Sequence, residues 1–195
     1  MASLQALFCA ATLLLLVIPH ACTAAAAAAS TTVQEQCDSY AAGDRSSYDY
    51  CVYKLGRDSG SATADARGLA AIAARAARAT AKATGERIAG LRANETVPAR
   101  RSCLAACAAE YAAAVRRLGR AARAAARREG GDLRRAQALL EEVTGTTARC
   151  DGAFAAAGLE SPLDGAARGL DDEVELAIAL LPSPPSPSPP LPTRA

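Results

Sequence analysis

Leu133-Arg-Arg-Ala136-Gln-Ala-Leu-Leu140-Glu-Glu-Val143-Thr-Gly-Thr-Thr147-Ala-Arg-Cys150-Asp-Gly-Ala-Phe154 is the stretch that decides how this chain folds. Leu133, Ala136, Leu140, Val143, Thr147, Cys150 and Phe154 alternate in steps of three and four without a miss. At 3.6 residues per turn, that spacing puts them on one face of an α-helix. Asp132 stands just before them as an N-cap, and the spacing predicts a helix from Asp132 to about Ala157.

Three more segments follow the same pattern. One runs from about Thr63 to Leu91, with Leu69, Ile72, Ala76, Thr80, Thr84, Ile88 and Leu91 on one face and Arg67, Arg75, Arg78, Lys82 and Glu86 on the other. The next, from about Ala99 to Arg128, sets Leu104, Cys107 or Ala108, Tyr111, Val115, Leu118, Ala122 and Ala125 against a stripe of Arg116, Arg120, Arg123 and Arg127. The last, from about Leu163 to Leu181, uses Leu163, Ala167, Leu170, Val174, Ala177 and Leu181, with Asp171, Asp172, Glu173 and Glu175 on its polar side. Helices joined by short connections favour an antiparallel up-down arrangement. Ahead of them, Val33 to Leu55 reads as a helical hairpin turning at Gly43-Asp44, and Asp58-Ser-Gly-Ser61 ends it. The expected fold is all-α: an antiparallel up-down four-helix bundle preceded by an N-terminal helical hairpin.

The ends read differently. Leu4 to Ile18 is an apolar run, short for a membrane span, and Cys22 and Ala24 are small residues that suit cleavage. Residues 1–24 are therefore expected to be a secretory signal, the alternative being a membrane anchor. Removing them removes Cys9, Cys22 and His20, which is the chain's only histidine. Catalysis of the Ser-His-Asp or Cys-His kind and histidine-ligated metal sites are then excluded. Neither cofactor nor metal is expected, and isolated Asp and Glu pairs on polar helix faces argue against an enzyme. Residues 182–195, Pro-Ser-Pro-Pro-Ser-Pro-Ser-Pro-Pro-Leu-Pro in their greater part, form a tail expected to be extended polyproline II. It reads either as a hydroxyprolinated, glycosylated wall tail or as a plain disordered end.

Cys37, Cys51, Cys103, Cys107 and Cys150 remain, an odd number that secretion would oxidise in pairs with one left over. Cys107 and Cys150 fall on the core faces of their helices, where a disulfide would staple neighbours. Two thiolates without histidine make a poor metal site, so Cys103 reads as a free or intermolecularly paired thiol. Asn94-Glu-Thr96 is an N-glycosylation sequon between two helices.

The net charge of +2 hides an asymmetry: Ala64 to Arg128 holds 14 basic and 4 acidic residues (+10), and Glu129 to Leu181 holds 4 basic and 11 acidic (−7). With few aromatics and a secretory signal, the basic half reads as solvated arginine faces, not a nucleic-acid surface.

Taken together, these residues resemble the plant invertase and pectin methylesterase inhibitor family over 33–181. The resemblance rests on Cys37 with Tyr48-Asp49-Tyr50-Cys51, Leu55-Gly-Arg-Asp58, Ser61-Ala-Thr-Ala-Asp65, Gly68-Leu69, Cys107 to Tyr111 followed by Ala112 to Ala114, Cys150 to Phe154, and Ser161-Pro162. The flavour is that of the pollen-allergen-like branch described as invertase inhibitors. The resemblance implies disulfides Cys37–Cys51 and Cys107–Cys150, a non-enzymatic inhibitor that docks on the active-site cleft of a plant pectin methylesterase or acid invertase, and an apoplastic, cell-wall or vacuolar location. It also implies self-association into a homodimer through the hairpin; from the residues themselves, no nucleic-acid or membrane partner is expected. Many invertase inhibitors of the family carry Pro-Lys-Phe after a Gly-Asp as an active-site plug, whereas here Leu133, Arg134 and Arg135 follow Gly131-Asp132. Those three are the target-binding candidates. Pectin methylesterase inhibitors lack the plug, so the leading expectation is inhibition of pectin methylesterase. Inhibition of invertase (beta-fructofuranosidase) is the alternative, and a non-inhibitory glycosylated wall protein the third reading.

Overall fold

Aspartates set the local punctuation of this fold. The computed structural model describes residues 32–127, 132–163 and 168–182, and the regular elements among them are helical. Helix α1 covers 32–41, and a turn with φ of 47° at Ala42 and 93° at Gly43 reverses the chain into α2, Arg45–Gly56. Asp44 caps α2 by accepting from the Ser47 amide at 2.8 Å. Asp58 caps a short 3-10 turn, Ser59–Thr63, through the Gly60 amide, and Asp65 caps α3, Ala66–Asn94, through the Gly68 amide, each at 2.9 Å. Pro98, whose missing N–H costs nothing at a first helical position, opens α4, Pro98–Ala126. There follow α5, Asp132–Glu141, α6, Thr146–Ala156, and α7, Arg168–Ala179.

Helices α3 and α4 have 29 residues each, or about 43 Å at 1.5 Å per residue. Three linking residues, 95–97, force them to run antiparallel as neighbours. Helices α5 and α6 line α4, α7 packs mainly against α3, and α2 lies against α3 at the side. This is the expected bundle with its hairpin.

The core is built largely of small side chains. Ala70, Ala73, Ala74, Ala77 and Ala81 on α3 and Ala114, Ala121 and Ala125 on α4 are buried in it, with Leu69, Ile88, Leu104, Tyr111, Leu118, Leu140, Phe154 and Leu170 as the large fillers. Alanine lets backbones approach closely but buries little apolar area, at about 25 cal/mol per Å². Two buried disulfides staple this core. Cys37–Cys51 joins α1 to α2 across a separation of 14, and Cys107–Cys150 joins α4 to α6 across 43. In the chain-entropy view these closures contribute roughly 3 and 4 kcal/mol.

Three expectations change in detail. The helix predicted from Asp132 to Ala157 is two helices, α5 and α6, because the chain turns at 142–145 and Gly145 is left-handed at φ 77°. The α3 core face holds at Leu69, Ile72, Thr84 and Ile88 but shifts by one residue in its middle: Ala77 and Ala81 are buried, while Ala76 and Thr80 are half-exposed and line a groove beside α2. Glu173, expected on the polar side of α7, is buried at 3% exposure. The Ala167 position, the signal segment 1–24 and the Pro/Ser tail beyond Pro182 lie outside the described residues. Among the described residues, no helix is long and apolar enough to cross a membrane.

Candidate functional site

On α4, the residues at steps of four, three and four point the same way. Arg116, Arg120 and Arg123, with Arg127 at the C-cap just past the helix, accordingly form an exposed row. Arg117, one position off the row, turns towards α5 and pairs with Glu142 at 2.6 Å, and Arg149 of α6 pairs with Glu110 of α4 at 2.7 Å. Ion pairs of both senses therefore join the two halves along the flank of α4, and no ion pair to the row occurs among the described residues. Arg67 of α3 donates to the Arg127 carbonyl and ties the start of α3 to the end of α4.

The first turn of α5 adds to this basic end. Arg135, Asp132 and Ala124 join Arg120, Arg123 and Arg127 around a depression of about 160 Å³. Of the three target-binding candidates, Arg134 and Arg135 are exposed, but Leu133 is buried in the bundle. The trio is thus divided: Leu133 anchors the α5 turn, and the two arginines are presented to solvent.

A second polar feature joins the hairpin to the bundle. Lys54 of α2 reaches Glu173 of α7 at 2.5 Å, its ammonium 5.4 Å from the centre of the Tyr50 ring. Glu173 Oε2 and the Tyr50 hydroxyl are buried without a hydrogen-bond partner. Burial, then the charge of Glu173, pushes the Tyr50 phenol well above its usual range. A groove of about 690 Å³ opens beside this pair, lined by Lys54, Arg57, Asp58, Arg75, Thr80 and Glu173, with Arg75 paired to Asp58 at 3.1 Å. Local spacing carried one signal for the burial of Glu173: it lies three residues after Leu170 and next to Val174, in the core register.

At the other side of α7, burial raises the Asp171 carboxyl, the neighbouring Asp172 and Asp151 charges add to this, and a Thr147 hydrogen bond opposes it. Cys103 is an unpaired, buried thiol whose Sγ donates to the Ala153 carbonyl at 3.3 Å. Asn94 is the last residue of α3 and is exposed, its Nδ2 donating to the Gly90 carbonyl at 3.0 Å. Among the described residues, no group of three or more His, Cys, Asp or Glu is placed to hold a metal ion.

These features are those of a disulfide-stapled helical bundle with charged outer faces and one buried free thiol. The match to the plant invertase/pectin methylesterase inhibitor family over residues 31–180 makes this specific: the chain belongs to that family. Membership implies an inhibitor of pectin methylesterase or invertase, not an enzyme. A search of curated proteins gives no significant match.

Proposed function

We propose that this protein is a secreted inhibitor of pectin methylesterase that docks its exposed helix faces on the enzyme's active-site cleft. The observation that carries the choice of target lies at the start of α5. Where a plug of Pro-Lys-Phe would follow Gly-Asp, Leu133 follows instead and is buried at 8% exposure. An inward-turned leucine cannot enter a partner's cleft, and without a plug the pectin methylesterase side of the family fits better. A cell-wall setting supplies the target, and the exposed Asn94 sequon and the tail suit a glycosylated protein of that compartment. Tyr53, 60% exposed on α2, is the large side chain through which the hairpin would self-associate.

Inhibition of an acid invertase is the second reading, favoured by the exposure of Arg134 and Arg135. The third is a wall protein without inhibitory action. Titration of the oxidised chain into a plant pectin methylesterase and an acid invertase in parallel, in mildly acidic buffer, separates the three. Stoichiometric loss of esterase activity alone is the expected result. Loss of invertase activity that disappears in Arg134→Glu/Arg135→Glu would establish the second reading, and no effect on either enzyme the third.

A further inference from the structure

The row on α4 has features that docking on an enzyme does not require. Arg116 to Arg127 spans 11 residue steps, about 16 Å at the helical rise, and every cation in the row is arginine. Like charges this close repel one another. Arg78 of α3 adds to the crowding: its Nε lies 3.2 Å, and Nη1 of Arg123 3.7 Å, from the point where a Cβ would stand on Gly119. The absence of a side chain at Gly119 lets two guanidinium groups from different helices converge over the α4 backbone. No carboxylate among the described residues pairs with the row, although Arg117, one step away, has found Glu142.

The surroundings narrow the class of anion. The exposed large hydrophobic side chains among the described residues are Tyr53 on α2 and Val97 at the opposite end of α4 from the row. Arginine can anchor a protein contact, but a tight one sets an aromatic or aliphatic side chain beside it at the centre. A single-stranded nucleic acid would need aromatic platforms for its bases. Neither is present around the row. What it offers is a line of planar forks, each suited to a carboxylate in two-point contact, on a bed of alanine and glycine that lets a stiff chain lie close.

We propose that Arg116, Arg120, Arg123 and Arg127, with Arg78 across Gly119, form a binding site for a linear polycarboxylate, a uronate-rich polysaccharide. Such a site would hold the protein on an acidic matrix while its other surfaces engage a target enzyme. It does not depend on which enzyme is inhibited, nor on there being one.

The test uses the full oxidised chain and polygalacturonate as probe, with its fully methyl-esterified form as the uncharged control. Binding to the acid form that weakens as salt rises, and no binding to the ester, is expected. Arg120→Gln/Arg123→Gln should weaken binding about tenfold, while Arg92→Gln/Arg101→Gln, with the same loss of charge at the far end of α3 and α4, should not. Gly119→Ala, which pushes Arg78 aside, should weaken it several-fold with all charges kept. Equal losses in both arginine pairs would reduce the effect to net charge and overturn the site. Equal binding of the ester, or tighter binding of DNA or a sulfated chain at the same salt, would overturn the carboxylate assignment. Enzyme inhibition measured on the same variants is read separately, so failure of the inhibitor reading leaves this result interpretable.

Discussion

Glu173 shows what a single residue can do when its partner is far away in sequence. Lys54 lies 119 positions earlier and meets it at 2.5 Å. The side chain of Glu173 keeps 4% exposure and that of Lys54 22%, so the carboxylate is the more deeply desolvated member. Removing a charge from water costs several kcal/mol, and attraction to the partner repays it only in part. The pair therefore fixes how the hairpin sits on the bundle more than it adds stability. Lys54→Met should destabilise by about 3 kcal/mol, the low end of the range for stranding a buried charge, because water still reaches that edge. Lys54→Met/Glu173→Leu should recover that loss. Urea unfolding at neutral pH checks both, and a double variant as unstable as the single one would show that the pair itself holds the fold.

At the scale of elements, the break between α5 and α6 rests on one backbone conformation. Gly145 adopts φ 77°, and an added Cβ would lie 3.4 Å from Arg149 Nη1, a contact that the arginine can relieve. The left-handed backbone is the real obstacle, at about 1–2 kcal/mol for a residue with a Cβ. Gly145→Ala should lower the unfolding free energy by that amount, read as a lower urea midpoint at an unchanged denaturant slope; no change would mean that the turn rearranges freely. This element also shows why one break was hidden in the sequence. Val143 and Phe154 are buried on either side of the turn, so the steps of three and four pass through it unbroken. On α3 the difficulty is of another kind: alanines at 70, 71, 73, 74, 76, 77, 79 and 81 remove the contrast that reveals a face, and in that stretch the expected Ala76 and Thr80 give way to Ala77 and Ala81, while Leu69, Ile72, Thr84 and Ile88 are buried as expected. Where large residues mark the register, as at Leu104, Tyr111, Leu118, Leu170 and Val174, the expected and observed core agree. The candidate site was legible in the same uneven way. The arginine row follows from spacing alone, but the inward turn of Leu133 and the approach of Arg78 to Gly119 depend on how two helices meet.

For the whole molecule, the governing fact is a core rich in alanine crossed by two covalent ties of different reach. Cys37–Cys51 closes a local hairpin that rests on the side of the bundle, whereas Cys107–Cys150 joins α4 to α6 through the interior. The two ties should therefore fail differently. Cys107→Ala/Cys150→Ala releases a loop of 43 residues, worth roughly 4 kcal/mol, and should lower the global melting temperature by about 10 °C in a domain of this size. Cys37→Ala/Cys51→Ala should act locally, raising amide exchange in α1 and α2 while the amides of α3 and α4 keep most of their protection. Calorimetry and hydrogen exchange on the two variants distinguish this from a single cooperative unit, in which both ties would protect every amide alike. The hairpin is attached by Leu55, the buried Cys37–Cys51 tie, a few half-buried tyrosines and Lys54–Glu173, and the bundle by the long α3–α4 seam. That inequality is the physical reason to expect two levels of stability in one chain.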